Sequence, residues 1–329
     1  MKVSVIGDGG WGTALAMVLE RNGHDVTVWG PFPEYLDEIR TSGENKTYLP
    51  GVSVPDDIQW TSDHAEAVKD ADLVVLVVPS RFYKPVVESF KPHIPESALV
   101  VSATKGLDEE THERMSTVAE HVLGRPVAVL SGPSHAEEVA RGVPCAVTIA
   151  AGDHSVAEQI QRFFVNDTFR VYTLDDVVGV ELGGALKNVI AVAAGIGDGM
   201  GFGDNSKAAL MTRGIAEITR LGVALGAKPE TFYGLSGIGD LMVTCMSKHS
   251  RNRGVGERLG KGETLEEIMA SMKMVAEGVW NCQAAKELAG ELGVPVPITE
   301  QVNAVVHEGK DPRQAVMDLM SRVPKPEGD

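Results

Sequence analysis

The 329 residues carry 46 Asp and Glu against 30 Lys and Arg, a formal net charge of −16. A field of that sign repels nucleic acid and anionic membranes, so a site for a phosphorylated metabolite would need its own cluster of cations and backbone donors. With 43% hydrophobic but only 5% aromatic residues, a sizeable core is available and must be built from Val, Leu, Ile and Ala.

The chain opens on a strand-like run, Lys2-Val3-Ser4-Val5-Ile6, with no signal-peptide pattern before it. Residues 3–6 predict a first strand, 14–21 a helix ended by Asn22-Gly23, and 25–29 a second strand. The apolar runs at 72–78, 98–102 and 127–130 read as buried parallel strands, and 145–150 is a further candidate. Strands alternating with helical segments predict an α/β fold, a Rossmann-type doubly wound sheet over residues 1–177. From 178 the pattern turns helical, over 178–196, 207–225, 265–271, 280–292 and 298–308, with no convincing strand. Residues 178–329 are therefore expected to form an all-helical domain. The most membrane-like stretch, 183–203, holds Lys187, Asn188, Asp198 and many glycines, and reads as a buried helix rather than a lipid-spanning one. The Pro-rich polar tail, 323–329, is expected to fray. Cys145, Cys245 and Cys282 are widely separated, without metal-ligand spacing or a disulfide framework, which fits a reducing cytoplasm.

Gly7-Asp8-Gly9-Gly10-Trp11-Gly12 is a G-x-G-x-x-G between the first strand and its helix. The first glycine allows the tight turn, the second lets the backbone approach a pyrophosphate, and the third lets helix and strand pack closely. A plain glycine-rich turn is the competing reading, and the strand–loop–helix–strand context favours the dinucleotide. Trp11 either stacks on a cofactor or covers the loop. The second strand ends Trp29-Gly30-Pro31, with neither the acid that selects NAD nor an arginine for a 2′-phosphate, so NAD and NADP both stay open.

Further candidates follow strand ends, where ligands bind in such sheets. Pro79-Ser80 reads equally as a turn or as a ligand contact. Lys105, in Ala103-Thr104-Lys105-Gly106-Leu107, could donate to a substrate oxygen or phosphate, or be a solvated surface lysine. Ser131-Gly132-Pro133-Ser134 suits close ligand approach, and Ser134 also fits a helix cap with Glu137 three residues on. Lys187-Asn188 lies within an apolar helix. Burial would lower the lysine's pKa and suit it to acid–base work, whereas snorkelling to solvent is the bland alternative. Asp240, in Gly237-Ile238-Gly239-Asp240-Leu241, orients Lys187, binds a hydroxyl or caps a helix. Ser250-Arg251-Asn252-Arg253-Gly254 is an anion-site candidate at a helix start, against an exposed basic turn.

Together these segments resemble bacterial-type NAD(P)-dependent glycerol-3-phosphate dehydrogenase over nearly the whole chain. The resemblance rests on GDGGWGTALA, SATKGL, LSGPSHAEEVARG, GVELGGALKNVIAVAAGIGDG, GLSGIGDLMVTC and SRNRGVG. It implies NAD(P)H-dependent interconversion of glycerol 3-phosphate and dihydroxyacetone phosphate for phospholipid synthesis, with Lys187 as general acid/base. It further implies that Lys105 lies near cofactor and substrate, Gly132 and Ser134 contact substrate, and Ala136 contacts cofactor. Asp240, Ser250, Arg251 and Asn252 would form the polyol-phosphate site, with Arg251 also touching the cofactor. Gly7, Gly9, Gly10, Trp11 and Gly12 would hold the dinucleotide, and Val275 and Glu277 would close over the nicotinamide. Gly10 departs from a frequent serine, and Gly30-Pro31 from an arginine. Another Rossmann-plus-helical dehydrogenase, acting on a sugar acid or 3-hydroxy acid, is the close rival, and a non-catalytic cofactor sensor the distant one. No metal, nucleic acid or membrane partner is expected. The helical half, rich in small and apolar residues, suits a homodimer, with a monomer still open.

Overall fold

The computed structural model describes residues 1–272, 276–324 and 326–327. The expected frayed tail lies partly outside this range, and so does Val275. β1 (Lys2–Ile6) leads through α1 (Gly10–Arg21) to β2 (Asp25–Trp29), which pairs in parallel with β1 from Lys2–Asp25 to Ile6–Trp29. After α2 (Pro33–Ser42) come β3 (Gln59–Thr61), α3 (His64–Ala67), β4 (Leu73–Leu76), α4 (Ser80–Phe90), β5 (Leu99–Ser102), α5 (Met115–Leu123) and β6 (Ala128–Ser131). These six strands are parallel, in the order β3-β2-β1-β4-β5-β6. The order reverses between β1 and β4, and that switch point is where such sheets bind dinucleotides.

Why the central strands read as unbroken apolar runs is visible in β4. Leu73 and Val75 enter one core with α1, while Val74 and Leu76 enter another with Tyr83 and Phe90 of α4. Side chains alternate faces along a strand, so a sheet covered on both faces needs apolar residues at every position.

The doubly wound sheet is thus present, but its far edge is not parallel. β7 (Cys145–Ala150) pairs antiparallel with β6, and β8 (Phe169–Leu174), reached through α7 (His154–Phe164), runs parallel to β7. The intervening α6 (Ala136–Ala140) has five residues, spanning only about 7 Å. It packs on α1 and does not carry the chain back along the sheet.

The remainder is helical: α8 (Val177–Gly199), α9 (Asp204–Ala224), a 3₁₀ turn (Pro229–Tyr233), a π turn (Leu235–Gly239), α10 (Asp240–Met246), α11 (Arg251–Gly260), α12 (Leu265–Ser271), α13 (Glu277–Leu292), α14 (Pro297–His307) and α15 (Pro312–Met320). No strand occurs among the described residues after Leu174. α8 is long and apolar enough to cross a membrane, yet 83% of its apolar stretch is buried inside the protein. It is the axis on which α9, α10, α11 and α13 pack. Glycines set its approach to α11. A Cβ on Gly195 would stand 1.9 Å from the Arg253 carbonyl oxygen, and one on Gly256 would stand 2.0 Å from that of Val192. Gly199 and Gly260, each four residues further on, face equally close backbone. Two backbones in direct contact hold the residues on both helices in fixed register.

Candidate active site

The glycine loop follows β1. Gly7 has φ +132°, and a Cβ there would stand 2.8 Å from the Val77 carbonyl oxygen. At Gly12 a Cβ would collide with the Gly7 carbonyl at 2.0 Å, and at Gly10 with that of Tyr48 at 2.5 Å. Gly9 differs: among the described residues a Cβ there would meet no atom within 4 Å. Packing within the chain therefore does not demand glycine at that position. No side chain caps α1 and no acid stands in its first turn, so its first N–H groups and the positive end of its dipole are free for an anion. Loop and helix together fit a pyrophosphate. Trp11 packs against the core with its indole N–H unpartnered among the described residues, and Ala136 borders the loop opposite Gly10.

Across the sheet's carboxyl edge stands a cluster of two lysines and one carboxylate. Lys187 of α8 is 4% exposed and Asp240 of α10 is 1% exposed. Lys187 Nζ donates to Asp240 Oδ1 at 2.5 Å and to Thr244 Oγ1 at 2.6 Å. Lys105, from the loop after β5, donates to Asp240 Oδ2 at 2.8 Å and to the Gly132 carbonyl at 3.0 Å. Burial drives the Lys187 ammonium down to about 8, against the raising effect of Asp240 and with help from Lys105. Burial alone would raise the Asp240 carboxyl, but Lys105 and Lys187 outweigh it and hold the carboxyl below its ordinary range. One aspartate between two lysines leaves a net positive, dry corner, in which a proton can move at Lys187 near neutral pH. The snorkelling alternative for Lys187 is excluded by its burial. Asp240 does not cap α10 either; Gly239 holds that position and no side chain caps it.

Ser134 also departs from the capping alternative. His135 occupies the N-cap of α6, and Ser134 Oγ donates instead to the Gly132 carbonyl at 2.9 Å. Gly132 has φ +142°, and a Cβ there would stand 2.9 Å from Val147 Cα. The segment 131–134 is therefore a tight bend that brings Ser134 beside the carbonyl that Lys105 also holds.

At the start of α11, Ser250 caps the helix by accepting from the Arg253 N–H at 3.2 Å. Arg251 follows, and its guanidinium makes no hydrogen bond among the described residues. Surrounding protein lowers its pKa, partly offset by Glu277 and Glu137, yet a guanidinium stays charged. Asn252 is buried and ties three helices: its amide donates to Asn188 Oδ1 at 2.9 Å and accepts from the Gly278 N–H at 2.9 Å. Glu277 accepts from Ser80 Oγ at 2.5 Å and from its N–H at 3.3 Å, joining α13 to the start of α4. Its carboxyl is pushed up by burial.

Sequence reasoning overlooked Thr244 and His135. Thr244 follows Asp240 by four residues on one helix face, a spacing that places both against one partner. His135 has its Nε2 buried and unpartnered among the described residues, and its pKa is lowered by burial and by Lys187 and Lys105. It announces itself only through the fold.

A Rossmann-type sheet whose nucleotide loop shares an edge with a buried lysine from a helical domain defines a two-domain dehydrogenase. Residues 2–157 match the sequence model of the NAD-dependent glycerol-3-phosphate dehydrogenase N-terminus, and residues 176–317 that of its C-terminus. A glycerol-3-phosphate dehydrogenase [NAD(P)+] from Moorella thermoacetica is 54% identical over 97% of this chain and 96% of its own. The crystal structure of glycerol-3-phosphate dehydrogenase from Coxiella burnetii superposes with a TM-score of 0.94 at 38% identity, covering 98% of this chain and 99% of that one. The chain belongs to the NAD-dependent glycerol-3-phosphate dehydrogenase family. A ketopantoate reductase from Ralstonia eutropha shares the fold alone, at TM-score 0.62 and 18% identity, over 96% of this chain and 100% of its own.

Proposed function

We propose that this protein interconverts sn-glycerol 3-phosphate and dihydroxyacetone phosphate with NAD(P)(H), supplying glycerol 3-phosphate for phospholipid synthesis. The observation that carries the reading is the buried Lys187, held by Asp240 and Thr244 at the edge where the glycine loop opens. When bound, the nicotinamide supplies or accepts the hydride at C2. Lys187 gives a proton to the carbonyl oxygen in reduction and takes one from the hydroxyl in oxidation. Asp240 keeps Lys187 aimed, and Lys105 stabilises charge on the same oxygen. Gly132, Ser134, Ser250, Arg251 and Asn252 hold the polyol phosphate, where Arg251 and the free N–H groups of α11 supply what the net charge of −16 does not. Gly7, Gly9, Gly10, Trp11, Gly12, Lys105, Ala136, Arg251, Val275 and Glu277 bind the cofactor. Lys187→Ala is expected to lower kcat by about 10³-fold while NAD(P)H affinity stays within a few-fold. Near-normal turnover would remove Lys187 from the chemistry.

The same reading divides the chain at 177/178. In support, β8 ends at Leu174 and α8 begins at Val177, and the core around α8 draws almost wholly on residues beyond that point. It also places the enzyme in the cytoplasm as a homodimer. Cys145, Cys245 and Cys282 are all free thiols. Ile238, Met242 and Met246, exposed by 36%, 47% and 62%, stand four residues apart, a stripe on one face suited to cover by a second copy.

A further inference from the structure

We propose that Asp8, in the glycine loop, is the residue that reads the adenosine ribose and makes this enzyme prefer NADH to NADPH. The proposal rests on the dehydrogenase reading above. Enzymes of this fold commonly place an Asp or Glu at the end of β2 to accept from the ribose 2′-hydroxyl. Here β2 ends Trp29-Gly30-Pro31, with no acid and no arginine. The structure fills that place from the other side. A Cβ on Gly30 would stand 2.4 Å from Asp8 Oδ2 and 2.7 Å from its Cγ. The Asp8 carboxylate therefore lies over the end of β2, and glycine at position 30 is what admits it.

The carboxylate is positioned and yet unused by the protein. Asn45, fully buried, donates to the Asp8 carbonyl at 2.8 Å and to Thr13 Oγ1 at 2.8 Å, fixing the loop to α1. Asp8 Oδ2 is buried without a hydrogen-bond partner, and no lysine or arginine pairs with the side chain among the described residues. Burial raises its pKa to about 6, slightly offset by its own N–H. A buried acceptor left without a donor calls for an explanation; the residue as a whole is only part-buried, and a ribose hydroxyl is the donor its carboxylate would take. A 2′-phosphate in the same place would set two anions together with no cation between them, which rejects NADPH.

The test is calorimetric titration of the folded enzyme with NADH and with NADPH at pH 7.5, for the wild type, Asp8→Ala and Asp8→Asn. The wild type is expected to bind NADH on the order of 100-fold more tightly than NADPH. Asp8→Ala should lose about tenfold in NADH affinity and gain NADPH affinity, collapsing the ratio. Asp8→Asn, which keeps the shape and removes the charge, should gain NADPH affinity while retaining part of its NADH affinity. Equal binding of both nucleotides by the wild type, or an unchanged ratio in both variants, overturns the proposal while leaving the dehydrogenase reading intact. Failure of the folded wild type to bind either nucleotide overturns both.

Discussion

At the scale of single residues, the proposed chemistry rests on what burial does to Lys187. A lysine whose pKa falls from 10.5 to about 8 is poised to change charge close to working pH. Oxidation of glycerol 3-phosphate needs the neutral amine, and reduction of dihydroxyacetone phosphate needs the ammonium. The kcat/KM for oxidation is therefore expected to rise as pH passes through about 8, and that for reduction to fall over the same interval. Initial rates measured in both directions from pH 6 to pH 10 check this. Parallel profiles in the two directions would show that Lys187 is not the titrating group. The pair Lys187-Asn188 was legible in the sequence because a cation inside an apolar helix is costly without a reason. Its partners were legible only in part. Asp240 stood open between two roles, because a glycine-rich bend before a helix suggests a cap as strongly as an ion pair. Ser134 suggested a capping box that the chain does not use, because His135 reaches the cap position first.

At the scale of elements, the first three are set by local pattern and many of the later ones are not. β1, α1 and β2 follow from apolar alternation and the glycine loop, and the expected bounds differ from the observed ones by a few residues at most. β3 has three residues, too few to carry a pattern. β8 does alternate, with Phe169 and Val171 buried and Arg170 and Tyr172 exposed, but its polar half masks it as a loop. The reversal of β7 is set by the shortness of α6, which no periodicity encodes. The contact of α8 with α11 is likewise written in glycines whose partners are distant in sequence. Gly256→Ala is expected to push α11 off α8, because its Cβ has only 2.0 Å to the Val192 carbonyl. The loss should be about 1–3 kcal/mol, read as a lowered denaturation midpoint, with a fall in kcat because Lys187 and Asn252 hang on those two helices. An unchanged midpoint would mean that the helices can separate without cost.

At the scale of the whole molecule, the two cores meet at a polar seam. Ser80 and Lys105 come from the sheet, and Glu277 and Asp240 from the helices. The proposed substrate site lies at that seam; the fold itself is shared with a ketopantoate reductase and does not choose a substrate. The stripe of Ile238, Met242 and Met246 makes the assembly testable. Light scattering is expected to give twice the chain mass for the wild type and the single chain mass for Met242→Lys; a monomeric wild type would refute the homodimer. The assignment to glycerol 3-phosphate is tested most directly by following nicotinamide absorbance with purified protein, dihydroxyacetone phosphate and NADH or NADPH. Rapid oxidation of the reduced cofactor is the predicted result, faster with NADH at limiting cofactor. No oxidation with either, in folded protein that binds nucleotide, would contradict the assignment and leave a dehydrogenase of this fold acting on a hydroxy acid.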